Sequence, residues 1–257
     1  MDHNTLLNRE RIIGHLKERL IPLPYVYAMW LEGADASGLV DEFSDLDIYV
    51  DFEDEYEMET KAAVEEALKE LAEIDYKSVI PHGHPKLRQN IYHLSGTDEY
   101  QMIDFCFQLH SRDRQEYIYI KNNAVEGAMV LFDKDQIIRY KDFNAEEFQE
   151  QNTGRRMECK YRYSQHSRVL KYVYRKQYLE AYAYYNRYVL EPLIDLLRII
   201  YTPANADYYL IHISHHIPAE ERKRLEFFAQ IASLEDIERK TKLAEEWFEK
   251  LVEKCEH

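Results

Sequence analysis

Apolar residues recur at helical spacing from Thr5 to Leu20, where Leu6, Leu7, Ile12, Ile13, Leu16 and Leu20 repeat before Pro22 and Pro24 stop the run. Tyr25 to Glu32 then predicts a strand feeding a glycine turn, and Asp45 to Phe52 a second strand. Glu57 to Ile74 is amphipathic, with Val64, Leu68 and Leu71 at helical spacing. Lys77 to Ile80 predicts a short strand, followed by a loop at Pro81-His82-Gly83-His84-Pro85. Asn90 to Ser95 and Glu99 to Leu109 predict a hairpin through Gly96-Thr97-Asp98. Arg112 to Ile120 reads as helix, and Met129 to Phe132 as a short strand. A small mixed sheet with helices packed on it, an α+β arrangement, follows from this order.

Beyond about residue 141 the strand signals nearly vanish. Asn144 to Tyr174 predicts one long helix or two, and Gln177 to Tyr201 another, stopped by Pro203. Asp207 to His212 is short, and Pro218 to Ile231 with Leu234 to Glu256 completes a helical bundle. The change of pattern predicts two domains, 1–140 and 141–257.

The chemistry concentrates where the first two strands meet. Asp45 and Asp47, two residues apart in a strand, would project from one face while Leu46 and Ile48 turn to the core. Adjacent carboxylates repel unless a cation lies between them. Mg²⁺ suits such a site, because it takes hard oxygen ligands and commonly binds one or two carboxylates plus substrate phosphates. Gly33 and Gly38 remove side chains where backbone could approach a phosphate. Metal carboxylates beside a phosphate cradle outline a nucleotidyl-transfer site. On a later strand, alternation sets Ile103, Phe105 and Phe107 on one face and Met102, Asp104 and Cys106 on the other. An aspartate in so apolar a strand carries a desolvation cost unless it is paired or near a metal.

The stretch from Gly33 to Asp47 resembles the nucleotidyltransferase superfamily that includes DNA polymerase beta and the antibiotic nucleotidyltransferases. Its common bacterial form reads Gly-Ser-x-Ala-x-Gly-x-x-Asp-Glu-Tyr-Ser-Asp-x-Asp. Gly33, Ala36, Gly38, Asp41, Glu42, Ser44, Asp45 and Asp47 fall in register with it, and Phe43 replaces the Tyr. The family Ser that binds a nucleotide phosphate is Ala34 in this chain. The resemblance implies a nucleotidyltransferase domain followed by a helical substrate-binding domain. It implies Mg²⁺ at Asp45, Asp47 and Asp104, and phosphate contacts from Gly33, Ala34, Ser37 and Ser44. Asp104 would be a metal ligand or the general base toward an acceptor hydroxyl. ATP would be the co-substrate, and the acceptor a small hydroxylated molecule of the aminoglycoside type. Two other readings stay open: a non-catalytic nucleotide-binding protein, which Ala34 favours, and transfer to a protein side chain or an RNA end.

Charge narrows the partners. The 257 residues carry a formal net charge of −15. A polyanionic nucleic acid needs a basic surface, so none is expected as substrate. An acidic cleft favours a cationic acceptor. Cys106, Cys159 and Cys255 lie far apart without metal spacing, consistent with reduced thiols and a cytoplasmic location. The polar start Met1-Asp2-His3-Asn4 does not read as a signal peptide, no run reaches the length of a membrane span, and a homodimer is compatible with the chain.

Several other groups draw notice. Arg155, Arg156, Lys160, Arg162, Arg168, Lys171, Arg175 and Lys176 make a basic stretch that could meet a triphosphate or form a solvated face. Tyrosines from 161 to 188 could stack on a base, or serve as core residues with polar tips. Glu180, Glu191 and Asp195 could hold a cationic acceptor or lie at the surface. His212-Ile213-Ser214-His215-His216 lacks a companion ligand set and reads as a polar connection, while His82 and His84 could border a substrate entrance.

Overall fold

Alternation in the first half of the chain becomes a six-stranded mixed sheet. The computed structural model describes residues 7–256, and the chain divides into two units, Met1–Phe143 and Asn144–His257. Residues 5 and 6 of the expected first helix lie outside the described residues. Helix α1 (Arg9–Leu20) begins where the Asn8 side chain accepts the Arg11 N–H at 3.0 Å. Strand β1 (Val26–Leu31) follows, then a one-turn helix α2 (Gly33–Ser37), β2 (Leu46–Phe52) and α3 (Glu57–Leu71). Next come β3 (Ile74–Ile80), β4 (Leu87–Leu94), β5 (Ile103–Leu109), β6 (Tyr119–Ile120), β7 (Met129–Asp133) and β8 (Tyr140–Lys141). The sheet order is β3-β4-β5-β2-β1-β7, with β2 and β5 parallel and every other pair antiparallel; β6 and β8 pair separately.

One face of this sheet is the hydrophobic core. Ile12, Leu16 and Leu20 of α1 and Val64, Ala67 and Leu68 of α3 pack onto Leu46, Ile48, Val50 and Phe52 of β2 and Ile103, Phe105 and Phe107 of β5. The opposite face is a polar grid set by register. Its first row aligns Glu32, Asp47 and Asp104; its second Trp30, Tyr49 and Cys106; its third Ala28, Asp51 and Gln108. Tyr119 and Ile137 cover part of that face against Ala28 and Trp30.

The expected helix from Arg112 to Ile120 is instead a series of turns ending in β6. Tyr117 and Tyr119 both reach the Glu32 carboxylate. A helix would turn residues two apart to different sides, so this tertiary demand overrides the local pattern. Asp45 lies just before β2 rather than within it, and β3 starts three residues earlier than expected.

The second unit is helical: α4 (Ala145–Gln151), α5 (Thr153–Tyr163), α6 (Ser167–Tyr174), α7 (Tyr178–Tyr185), α8 (Glu191–Tyr201), α9 (Ile213–His216), α10 (Ala219–Ala229) and α11 (Leu234–Glu256). The Asn144–Tyr174 stretch forms three helices, not one or two. Asn152 breaks it first, turning its side-chain amide to the Phe148 and Pro203 carbonyls at 2.9 and 2.8 Å. Between α7 and α8 the run widens into a π turn, Asn186–Leu190. Pro192 follows closely; it lacks an N–H and its ring would crowd the Tyr188 carbonyl, which a wider turn relieves. The core includes Leu193, Leu197, Ile237, Phe228 and Trp247. No helix among the described residues is long and apolar enough to cross a membrane.

Candidate active site

The glycine turn and the two central strands converge on Asp47. Gly33 adopts φ +54°, which glycine tolerates and other residues resist. A Cβ on residue 33 would stand 1.9 Å from Asp47 Oδ2, so the carboxylate occupies the space that a side chain would need. The Glu32 N–H donates to the Asp47 carbonyl at 3.0 Å, joining the turn to β2. Gly38, also left-handed at φ +72°, closes the short helix.

Arg9 locks this corner. Its guanidinium donates to Asp35 Oδ2 at 2.5 Å, the Ser44 carbonyl at 2.8 Å and the Asp45 carbonyl at 2.9 Å. One nearly buried side chain of α1 thus ties α2 to the start of β2. In the sequence, a cation opening an amphipathic helix carries no mark of such tertiary partners.

Asp104 stands directly beside Asp47, because the two are register partners in the parallel β2–β5 pair. Both Asp104 oxygens accept from the Gln89 side-chain amide, at 2.9 and 2.7 Å. Asp45 is exposed at the strand entrance. Asp47 is half-buried, and its pKa rises to about 7 through burial first, then repulsion from Asp45, Asp104, Glu32 and Asp35. Burial also raises Asp104, against the Gln89 hydrogen bonds.

Glu32, which the sequence alone does not single out, is a half-buried acid. It accepts hydrogen bonds from Tyr119 at 2.5 Å, Tyr117 at 3.0 Å and the Trp30 indole at 3.1 Å. Desolvation nonetheless lifts its pKa to about 7. A charged residue closing the apolar run Val26–Leu31 is the available signal, while the pattern from Arg112 to Ile120 predicts a helix for the tyrosines that hold it.

The other expected residues vary in their commitments. The Ser37 hydroxyl donates to the Gly33 carbonyl at 2.9 Å, a bond that must open before it could serve a phosphate. Ser44 Oγ donates to Asp41 Oδ1 at 2.9 Å and accepts the Asp41 N–H at 3.0 Å. Ala34 offers only backbone. His82 Nδ1 accepts the His84 N–H at 3.0 Å, and His84 Nε2 lies 2.9 Å from Glu116. In the helical unit, Arg162 pairs with Glu191 at 3.0 Å and with Asp195, Lys160 pairs with Glu256 at 2.5 Å, and Glu180 is exposed. Tyr163 stacks on Phe248 and Tyr185 donates to the Phe228 carbonyl, both core roles, whereas Tyr161 and Tyr174 are exposed. His216 accepts from Arg198 at 3.2 Å.

Asp45, Asp47 and Asp104 supply the hard oxygen donors that Mg²⁺ prefers, and their mutual repulsion is what a cation would relieve. Among the described residues, no group of three His, Cys, Asp or Glu side chains is gathered closely enough to hold a metal ion. The donor chemistry therefore fits, while any coordination would draw the carboxylates together.

No protein-family model matches the chain, and no curated protein matches it. Among solved structures, the chain is similar to spectinomycin adenyltransferase AAD(9) from Enterococcus faecialis, crystallised with ATP and spectinomycin. That match covers 97% of this chain and 100% of the other, at 10% identity and a TM-score of 0.33.

Proposed function

We propose that the chain is a Mg²⁺-dependent nucleotidyltransferase that moves a nucleoside monophosphate, AMP from ATP, onto a hydroxyl of a small molecule. The supporting observation is the Asp47–Asp104 carboxylate pair, aligned across β2 and β5 and set against the side-chain-free Gly33. Residues 1–140 would carry the chemistry and 141–257 would bind the acceptor, a hydroxylated and cationic molecule of the aminoglycoside class.

Asp45 and Asp47 would hold Mg²⁺, which supplies charge stabilisation for phosphoryl oxygens. The backbone from Gly33 to Ser37, with Ser44 nearby, would orient the triphosphate. Asp104 would take the proton of the acceptor hydroxyl as that oxygen attacks the α-phosphorus and pyrophosphate departs. Its raised pKa makes it a better base than an exposed aspartate, and Gln89 fixes its orientation. The positioning converts an encounter of two substrates into an in-line displacement. A non-catalytic nucleotide-binding role is the second reading, favoured by the hydroxyl missing at Ala34 and the internally bonded Ser37.

The test is pyrophosphate release from ATP and Mg²⁺ across a panel of aminoglycosides and other hydroxylated amines. Asp104→Asn should lower turnover by about 10²–10⁴-fold while keeping nucleotide affinity. Nucleotide binding without turnover on any acceptor would select the second reading, and an Asp104→Asn enzyme with wild-type kinetics would remove the base assignment.

A further inference from the structure

The helical unit holds a cavity of about 490 Å³ where α5, the π turn, α8 and the loop after α8 meet. Pockets of this size commonly take small-molecule ligands. Its floor is an ion pair between Arg162 and Asp195, whose side chains are only 10% and 8% exposed. Arg162 also donates to Glu191 Oε2 at 3.0 Å, and Arg187 reaches the same oxygen at 3.1 Å. Arg155 stands 3.5 Å from Asp195 Oδ1. Glu158, Asp207 and Tyr209 complete the rim.

Three features separate this cavity from an ordinary surface ion network. The Arg162 Nε is buried and makes no hydrogen bond; its nearest acid, Glu158 Oε1, is 3.4 Å away. The π turn that carries Arg187 inserts an extra residue into the helix, a distortion frequent at functional sites. Tyr209 is held left-handed, at φ +49°, by the fully buried Arg198, whose Nε donates to the Tyr209 carbonyl at 2.7 Å and whose NH2 donates to the Ile211 carbonyl.

We propose that this cavity binds a small zwitterion, a molecule carrying an ammonium group and a carboxylate. The lining presents both signs with capacity to spare. Arg155 and Arg187 are 34% and 56% exposed, and among the described residues each pairs with a single carboxylate for a guanidinium with five donors. Glu158 is 53% exposed, and Asp207 has no ion pair among the described residues. A pure cation would leave the guanidinium groups facing a like charge, and a pure anion would do the same to the acids. A molecule with both charges meets a counter-charge at each end, so the mixed lining selects by repulsion as well as attraction. The Tyr209 ring offers an apolar surface to the connecting stem. Such a site would exist whether or not the sheet unit transfers nucleotides.

The probe is the unblocked dipeptide alanyl-alanine, compared by ligand-observed NMR titration with its N-acetyl and C-terminal amide forms. These remove the cation and the anion in turn. The unblocked form should bind saturably at millimolar concentration, and each blocked form about tenfold more weakly or worse, the worth of a charge-assisted hydrogen bond. Asp207→Asn and Arg187→Gln alter exposed side chains, so the fold persists and can be verified by circular dichroism; each should weaken the unblocked dipeptide by a similar factor. Equal binding of the three forms, absence of saturable binding, or full retention of affinity in both variants would overturn the proposal.

Discussion

Half-buried Asp47 in the sheet unit and buried Asp195 in the helical unit are held in opposite ways. Asp47 is surrounded by Asp45, Asp104, Glu32 and Asp35, and the combined burial and repulsion carry its pKa to about 7. Asp195 meets Arg162 and Arg155 instead. Arg9, the buried cation nearest the first cluster, gives its donors to Asp35 and to two carbonyls rather than to Asp47. Charge compensation inside the helical unit thus comes from the chain itself. At the start of the central strands β2 and β5 the chain leaves it incomplete, an arrangement that costs stability and suits a site completed by a cation from solution. Negative charge is ordinary in a chain of net −15; what distinguishes the two regions is which carboxylates lack a partner.

The largest effect should come from breaking the compensated pair. Arg162→Met leaves Asp195 buried with the longer Arg155 contact at 3.5 Å and the weak Cys159 thiol donor at 3.7 Å, and removing one partner of a buried pair costs about 3–5 kcal/mol. Urea unfolding followed through Trp247, in a Trp30→Phe background, reports the helical unit alone. Adding Asp195→Leu should return most of the loss, since it removes the stranded charge. A single variant within about 1 kcal/mol of the parent would show that Asp195 draws its compensation from elsewhere.

The opposite sign is expected at the uncompensated site. The folded pKa of Asp47, about 7, lies above the unfolded value near 4. The folded state therefore holds its proton longer, and stability falls as pH rises from about 4 to about 7, levelling above that. Asp47→Asn removes this slope and should stabilise the protein at pH 8 by about 2–4 kcal/mol. Calorimetry across pH checks it, together with titration of Mg²⁺–ATP, whose binding the variant should lose. A variant no more stable than the parent at pH 8 would place Asp47 in a less hostile field than its neighbours imply.

The contrast also explains how much could be read in advance. Period-two alternation placed Asp47 and Asp104 on the face opposite Ile48 and Phe105, and their side-by-side register follows once β2 and β5 run parallel. The helical half was legible as helical, with its stops at Tyr174, at Tyr201 and before Leu234, but the breaks inside 144–174 and 177–201 were not. Asn152 acts through the Pro203 carbonyl, far along the chain, and the π turn answers to Pro192. Glu32 illustrates the harder loss. Its role depends on Tyr117 and Tyr119, which come 85 and 87 residues later, and their spacing gave a local signal for the wrong element. Side chains whose partners are sequence-local or face-alternating can be found from the sequence; those fixed by distant loops cannot.

The smallest effect should separate the two units by acid. His216 accepts a hydrogen bond from Arg198 NH1, and burial, then the Arg198 charge, then His212 and His215 push its pKa down to about 4. Its unfolded value is near 6.5, so the unfolded chain takes up the proton first as pH falls. The helical unit should therefore lose stability between about pH 6.5 and 4, while the sheet unit gains it over much of the same range as Asp47 and Glu32 protonate. The chain has two tryptophans, Trp30 in one unit and Trp247 in the other, so single-tryptophan variants report each unit separately. Thermal midpoints at pH 7 and pH 5 should move in opposite directions for the two probes. His216→Gln keeps an acceptor for Arg198 but cannot protonate, and it should flatten only the Trp247 response. If His216→Gln leaves the Trp247 acid slope unchanged, burial and the Arg198 charge do not hold this histidine unprotonated, and the acid sensitivity of the helical unit belongs to other groups.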